Sequence, residues 1–348
     1  MNMSQGSYRL LMAVLTALLL AALLMSLGTG AVAIAPGEII RIVSARLGIG
    51  DSAPAAQLII EQIRLPRALL GILVGATLAL TGAAMQGLFR NPLADPGLIG
   101  VSGGSALGAA LVLFISGRAF GALAPAWTPY ALTAGAFVGG VLATALVYRL
   151  GRSLYGMSVA NLLLAGVAIT TLSGAVVGLL GYFADNALLR TLTFWNMGTL
   201  ATAGYERVVM VALCCALVWW RLCRHATALN ALLLGESEAY HLGVEVERVK
   251  RELIILTALG VAACVAATGL IGFVGLVVPH LARLLFGPDH RRVLPASMLL
   301  GAILLLLADV AARWVLAPAE LPLGILTAML GAPFFLYLLR QIRRMGVI

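Results

Sequence analysis

Apolar residues fill long stretches of the chain, and short clusters of glycine, proline and arginine separate these stretches. A transmembrane helix needs about 20 mostly apolar residues. The pattern predicts ten such helices, at residues 10–34, 66–87, 94–116, 129–150, 158–182, 204–222, 251–271, 274–287, 295–315 and 322–340. The seventh and eighth join through TGLIGFVGLVVPH, whose glycines and proline favour a tight reversal. The chain is therefore predicted to be an all-α integral membrane protein.

Composition supports a membrane location. The chain is 61% hydrophobic and 11% charged, with a mean hydropathy of +1.03, whereas a soluble protein carries about 25% charged residues. No polar segment is long enough for a separate soluble domain, so residues 1–348 are predicted to form one transmembrane domain. The apolar run at residues 10–34 exceeds the about 7–15 residues of a signal-peptide core, which identifies it as the first span.

The distribution of basic residues predicts the orientation. An even number of spans places both termini on one side of the membrane. If that side is the cytoplasm, 15 of the 23 arginine and lysine residues lie inside and eight outside, as the positive-inside rule requires. The net charge of +9 is attributed to arginines that anchor helix ends at lipid headgroups. No basic run is interleaved with exposed aromatic residues, so no nucleic-acid partner is expected.

The longest polar insertion, residues 221–252, is predicted to lie in the cytoplasm. Within it, ALNALLLGESEAYHLGV predicts two short amphipathic helices, broken at Gly235 and ended at Gly243. Such a pair suits a cytoplasmic partner, with a helix lying on lipid as the alternative. In the ninth span, Asp309 lies four residues before Arg313, the spacing of an ion pair on a helix. Asp309 is therefore predicted to be structural.

Motifs for catalysis and nucleotide binding are missing from the sequence. A phosphate-binding loop needs G-x-x-x-x-G-K-[ST], but the single lysine, Lys250, lies in ERVKRE. The four histidines and four cysteines show no metal-ligand or redox spacing. We therefore expect no enzyme and no cofactor bound by this chain. A secondary transporter, which needs ionisable groups at the membrane midplane, stays open as an alternative, although the spans offer few beyond Asp309.

Five segments together resemble the FecCD-type permeases, the membrane subunits of type II ABC importers for iron-siderophores, haem and cobalamin. They are RLPRALLGILVGATLALTGAAMQGLFRNPLADPGLIGVSGGSALGA, LNALLLGESEAYHLGV, GLIGFVGLVVPHLARLLFGPDHRRVLPAS, LLADVAAR and ELPLGILTAMLGAPFFLYLL. The resemblance covers nearly the whole chain from Arg64 onward. It implies the type II ABC importer permease fold, with ten helices per subunit, as a homodimer in the bacterial inner membrane.

The resemblance also implies partner proteins. Two cytoplasmic ATPase subunits would use ATP and dock on a coupling segment at about residues 224–250. The residues expected to form this docking site are Asn230, Leu234, Gly235, Glu236 and Gly243. A periplasmic binding protein would deliver the substrate to the outer face.

Three arginines on the predicted outer face depart from the positive-inside trend: Arg64, Arg67 and Arg313. In related permeases, arginines matching these positions receive carboxylates from the binding protein. A guanidinium suits this role because it pairs bidentately with a carboxylate and stays charged. Ordinary anchoring at lipid headgroups is the alternative.

The segment LLRTLTFWNMGTL, residues 188–200, is similar to the same segment of the haem importers, where LTFW and a following glycine recur. Phe194 and Trp195 would offer apolar walls to a porphyrin, and Arg190 would meet a propionate. An interfacial aromatic belt with an anchoring arginine is the alternative. Haem is the expected substrate, followed by a ferric siderophore and then cobalamin.

Overall fold

The computed structural model describes residues 4–30, 32–46, 53–118, 127–153 and 156–344. The α-helices within these ranges are α1 (Gln5–Gly28), α2 (Pro36–Arg46), α3 (Pro54–Leu58), α4 (Leu65–Leu88), α5 (Val101–Arg118), α6 (Thr128–Gly151), α7 (Val159–Tyr182), α8 (Asn186–Asn196), α9 (Tyr205–Arg224), α10 (Ala226–Leu234), α11 (Glu236–His241), α12 (Val246–Thr268), α13 (Val274–Phe286), α14 (His290–Val315) and α15 (Leu323–Arg344). A π-helical turn (Ile59–Arg64) precedes α4, and a 3-10 turn (Pro96–Ile99) precedes α5. Strands β1 (Arg152–Ser153) and β2 (Gly156–Met157) form a short antiparallel hairpin. The chain ends, residues 1–3 and 345–348, lie outside the described ranges.

Each of the ten predicted spans overlaps one apolar helix of the bundle: α1, α4, α5, α6, α7, α9, α12, α13, α14 or α15. Among the described residues, six helices are long and apolar enough to cross a bilayer. A seventh arises if α9 and α10, which are bent by 49°, form one span, and α5, α13 and α15 are shorter apolar helices. The prediction of an all-α membrane protein with about ten spanning helices is confirmed.

The boundaries of four predicted spans were wrong, and the ninth helix begins at His290 rather than near residue 295. The first helix ends at Gly28 rather than near residue 34. The third begins at Val101 rather than near residue 94, because Pro96 opens a 3-10 turn that ends at Gly100. The seventh begins at Val246, so the charged stretch that was assigned to the polar insertion forms the first turns of α12. Two amphipathic helices, α2 and α8, were not predicted as separate elements.

Helices α4, α12 and α14 form the centre of the bundle; most residues of α4 and α12, and half of those of α14, are buried. α4 and α14 approach closely where two glycines meet, because a Cβ atom on Gly75 would lie 2.3 Å from the carbonyl oxygen of Gly301. Small residues permit such contacts between membrane helices. Helices α1, α6 and α7 expose many apolar side chains, as lipid-facing helices do.

The contacts of α4 define two ends of the bundle. A Cβ atom on Gly87, near the end of α4, would meet Leu229 of α10 and His290 at the start of α14. At the opposite end, Arg67 in the first turn of α4 contacts Asp309 near the end of α14. We refer to these as the α10 end and the Arg67 end.

Candidate substrate cavity and docking sites

A cavity of about 400 Å³ lies beside α8, the start of α9 and the last turn of α12. It lies at the Arg67 end, because the hydroxyl of Tyr205 in the first turn of α9 donates to the carbonyl of Glu61 in the π-helical turn. One hydrogen bond holds the loop after α8 against the end of α12 and so shapes the cavity: the backbone N–H of Thr199 donates to the carbonyl of Thr268 at 2.7 Å. The three predicted substrate-pathway residues, Arg190, Phe194 and Trp195, all line this cavity. The structure therefore brings these residues to one place, although their role in transport stays a prediction.

Helix α8 carries all three of these residues. Its first turn is capped by Asp185, whose carboxylate accepts a hydrogen bond from the backbone N–H of Leu188 at 2.8 Å. Arg190 and Phe194 lie one turn apart on the same face. The guanidinium carbon of Arg190 lies 5.6 Å from the centroid of the Phe194 ring, within cation–π range. Leu192, on the opposite face, is buried and fixes the rotation of the helix.

A second cation lines the cavity, Arg207 in the first turn of α9, and it was not predicted from the sequence. Its guanidinium donates to the hydroxyl of Thr202 at 2.6 Å. In the described part of the chain, no carboxylate lies within 4.0 Å of either Arg190 or Arg207. Two guanidinium groups without acidic partners, next to an aromatic wall, suit a ligand with an apolar body and anionic groups. Only the turn between α8 and α9 brings Arg207 beside Arg190.

The three arginines predicted to dock a binding protein lie together at the Arg67 end. Arg67 donates through Nε to Asp309 at 2.9 Å and through both terminal nitrogens to Glu320, also at 2.9 Å. Arg313 pairs with Asp309 at 3.0 Å and donates to two backbone carbonyls at the end of α1. Arg64 donates to two further carbonyls at the end of α1 and just beyond it. These contacts connect α1, α4 and α14.

This arginine cluster is largely buried. Arg64 and Arg67 are 5% and 8% exposed, and Asp309 is 1% exposed. The predicted pair between Asp309 and Arg313 is confirmed. That Arg67 also pairs with Asp309 was not predicted. The side chain of Glu320 keeps 41% exposure, so this carboxylate is the part of the cluster that faces solvent. Docking of a binding protein on these arginines stays a prediction, and it would require the partner's carboxylate to displace Glu320 from Arg67.

At the α10 end, α10 and α11 form the predicted helix pair. They separate at Gly235, whose φ of 134° is accessible mainly to glycine. The Asn230 amide donates to Asp289 at 2.6 Å and accepts from the backbone N–H of His290 at 2.9 Å. Burial by itself raises the pKa of Asp289, but hydrogen bonds from the Arg291 backbone N–H and from Asn230 outweigh burial and hold that pKa below its usual value. Asn230 thus fastens α10 to the start of α14.

The outer face of this helix pair carries a patch of exposed apolar residues. Leu234 is 67% exposed, and Leu233, Tyr240 and Leu242 are exposed beside it. An exposed apolar patch of this kind marks a contact with a protein partner or with lipid. Of the other predicted coupling residues, Gly243 is exposed at the end of the pair and has a φ of 82°. Glu236 is half-buried and pairs with Lys250, so it holds the pair to the bundle.

Comparison with known proteins places this architecture among transport permeases. The model of the FecCD transport family matches residues 18–341. The chain is 46% identical to the hemin transport system permease protein HmuU of Yersinia pestis over 280 residues, which are 80% of this chain and 82% of the relative. It is 43% identical to the vitamin B12 import system permease protein BtuC of Salmonella typhi over 332 residues, 95% of this chain and 94% of the relative.

A solved structure gives the same result for the fold. An inward-facing conformation of a metal-chelate type ABC transporter superposes with a TM-score of 0.83 and 37% identity, covering 95% of this chain and 99% of that one. The protein is thus a multi-pass membrane permease of the ABC importer class. It belongs to the FecCD transport family.

Proposed function

We propose that the protein is the membrane-spanning subunit of an ATP-driven importer that moves haem across the bacterial inner membrane. In this proposal it forms a homodimer with both termini in the cytoplasm. Two ATPase subunits bind at the α10 end and supply ATP hydrolysis, and a periplasmic binding protein delivers haem at the Arg67 end. The lipid bilayer surrounds the remaining helices.

The cavity at the Arg67 end carries the substrate assignment. It combines the apolar rings of Phe194 and Trp195 with the two guanidinium groups of Arg190 and Arg207. Haem has a planar apolar body and two propionates, so it matches both features. The similarity to a hemin permease supports the same choice.

Ferric siderophores and cobalamin are the alternatives within the same class, and the vitamin B12 relatives support the latter. A secondary transporter is the alternative from another class. All three alternatives are separated from the proposal by ATP-dependent uptake into proteoliposomes that contain the permease, its ATPase and its binding protein. Haem, a ferric siderophore and cobalamin would be offered one at a time. ATP-dependent uptake of haem in preference to the other two is the expected result, whereas preference for either of the others would overturn the haem assignment.

Substitution of Arg190 tests whether the cavity selects anionic ligands. Arg190→Glu replaces attraction of a propionate with repulsion, and we expect haem uptake to fall by about tenfold, the factor that corresponds to 1.4 kcal/mol. Arg41→Glu is the matched control, because Arg41 is an exposed arginine on α2 that does not line the cavity. Equal uptake by the two variants would favour an interfacial belt over a substrate site.

A further inference from the structure

The only lysine of the chain, Lys250, is buried at the α10 end. It is 1% exposed and lies in the first turns of α12. An ammonium group is costly to bury unless it is paired and hydrogen-bonded. Its partners therefore indicate what this position requires.

The ammonium group of Lys250 has three acceptors, which match its three N–H donors. They are the carboxylate of Glu236 at 2.5 Å, the carboxylate of Glu247 at 3.2 Å and the backbone carbonyl of Met157 at 3.3 Å. These acceptors come from three separate segments. Glu236 begins α11, Glu247 lies in α12, and Met157 lies in the hairpin that joins α6 to α7.

A second contact fastens the same hairpin. The carboxylate of Glu247 accepts a hydrogen bond from the backbone N–H of Met157 at 3.1 Å. Both backbone polar groups of Met157 are thus bound, one by Lys250 and the other by Glu247. Met157 is 5% exposed, so the hairpin is held firmly at this point.

Lys250 lies in α12 and contacts the hairpin at the end of α6, and both of these helices extend to the substrate cavity. At their far ends, α12 lines the cavity with Ala266 and Thr268, and α6 lines it with Leu132 and Thr133. A displacement of α11 would therefore act through Lys250 on two helices that form the cavity wall. An ion pair made by a buried lysine suits this role better than an apolar contact, because its geometry is specific and it is lost when one partner moves.

We propose that Lys250 is a positioning residue that couples the α10–α11 helix pair to the hairpin and, through α6 and α12, to the cavity. This inference rests on the proposed docking of the ATPase at α10–α11. Without Lys250, we expect the complex to continue to hydrolyse ATP but to transport less substrate. A lysine that only stabilised the fold would lower uptake and ATP hydrolysis together.

The test uses the full complex of permease, ATPase and binding protein in proteoliposomes, with haem as the transported probe. Uptake and ATP hydrolysis are measured in the same vesicles. For Lys250→Met, we expect the ATPase to co-purify and the haem transported per ATP hydrolysed to fall by about fivefold or more, the lower end of typical coupling between sites. Arg251→Met is the matched control, because Arg251 is the adjacent basic residue and is exposed.

A second variant keeps the proposal testable if Lys250→Met does not fold. Glu236→Gln keeps the size of a side chain that is 43% exposed and removes only its charge, and the same uncoupling is expected. If either folded variant transports as much haem per ATP as the wild type, the coupling role is overturned. Absence of ATPase binding or of ATP-driven uptake in the wild type would instead refute the proposed function on which it rests.

Discussion

Three ionisable side chains, Arg67, Asp309 and Arg313, lie in contact at one end of the bundle. One carboxylate that is 1% exposed serves two guanidinium groups. Removing one member of a buried ion pair leaves an uncompensated charge and destabilises a protein by about 3–5 kcal/mol. We therefore expect Asp309 to be essential for the stability of the fold, whether or not the neighbouring arginines bind a partner protein.

We predict that Asp309→Ala lowers the free energy of unfolding by about 3–5 kcal/mol, because two buried guanidinium groups lose their shared carboxylate. Glu320→Ala is the control, since this carboxylate contacts the same Arg67 but its side chain is 41% exposed; exposed pairs contribute about 0–1 kcal/mol. Thermal unfolding of the purified protein in detergent measures both. Equal losses in the two variants would contradict the structural role of Asp309.

Glu320 also allows the docking role of Arg67 to be tested without disrupting the fold. Reversing all three arginines would break their buried contacts, so lost binding would be ambiguous. Glu320→Gln instead removes the exposed negative charge that pairs with Arg67, and we predict binding-protein affinity to rise by up to about fivefold, with a steeper dependence on salt.

The control for this affinity measurement is Glu38→Gln, which removes the same charge from α2, at the same end of the bundle. Titration of the binding protein against permease in nanodiscs at several salt concentrations gives the comparison. If both variants bind like the wild type, the arginines serve only to hold α1, α4 and α14 together.

At the scale of elements, the helix pair α10–α11 combines two internal anchors with an apolar outer face. Asn230 fastens it to α14, and Glu236 fastens it to α12. The exposed Leu234 lies between these anchors. Substitution of Leu234 therefore changes the outer face while it leaves the anchors in place, unlike substitution of Gly235, which would strain the backbone at its φ of 134°.

We predict that Leu234→Glu abolishes co-purification of the ATPase, because a charge replaces the centre of an apolar contact. Leu234→Met is the control, since methionine keeps the apolar surface. Pull-down with tagged ATPase and size-exclusion chromatography of the permease are measured together. Retained binding by a folded Leu234→Glu variant would assign this face to lipid.

The close approach of α4 and α14 leads to a second prediction at this scale. Gly75→Ala should destabilise the protein, because its Cβ atom would lie 2.3 Å from the carbonyl oxygen of Gly301. Gly37→Ala on α2 has nothing within 4 Å of the added atom, and alanine is the better helix former by about 1 kcal/mol. Unfolding in detergent should therefore show a loss for the first variant and no loss for the second.

At the scale of the whole molecule, central helices connect two ends with different chemistry. The Arg67 end carries the cavity and the buried arginine cluster, and the α10 end carries an exposed apolar face. Such a division fits a permease that binds its ATPase at one end and receives its substrate at the other. A secondary transporter would instead need an ionisable midplane group that is free to bind the coupling ion, whereas Asp309 is held by two arginines.

We predict that uptake by the complete complex stops when ATP is replaced by a non-hydrolysable analogue and is unchanged when an ionophore collapses the proton gradient. The physical reason is that ATP hydrolysis in the proposed ATPase subunit supplies the energy, and that the buried acid Asp309 is paired with two arginines and so is not free to bind a coupling proton. Vesicles with the permease alone serve as the control. Uptake that follows the proton gradient without ATP would establish the secondary transporter.

The sequence by itself determined the class of protein and most of the elements. Long apolar runs specify spanning helices because the bilayer leaves unpaired backbone groups no hydrogen-bond partners. Local chemistry was also sufficient for the pair between Asp309 and Arg313 and for the break at Gly235, since a helical turn and a left-handed backbone are properties of neighbouring residues.

Only the tertiary structure decided which distant residues share a site. Arg67 and Asp309 are 242 positions apart, and Lys250 reaches Met157 across 93 positions. No periodicity encodes such contacts, because they depend on how α4, α12 and α14 pack and where α12 begins. Lys250 was predicted to lie in a polar insertion, because the charged residues around it obscure the apolar helical pattern. Packing buried it, and burial required the partners that now connect α11 to the hairpin.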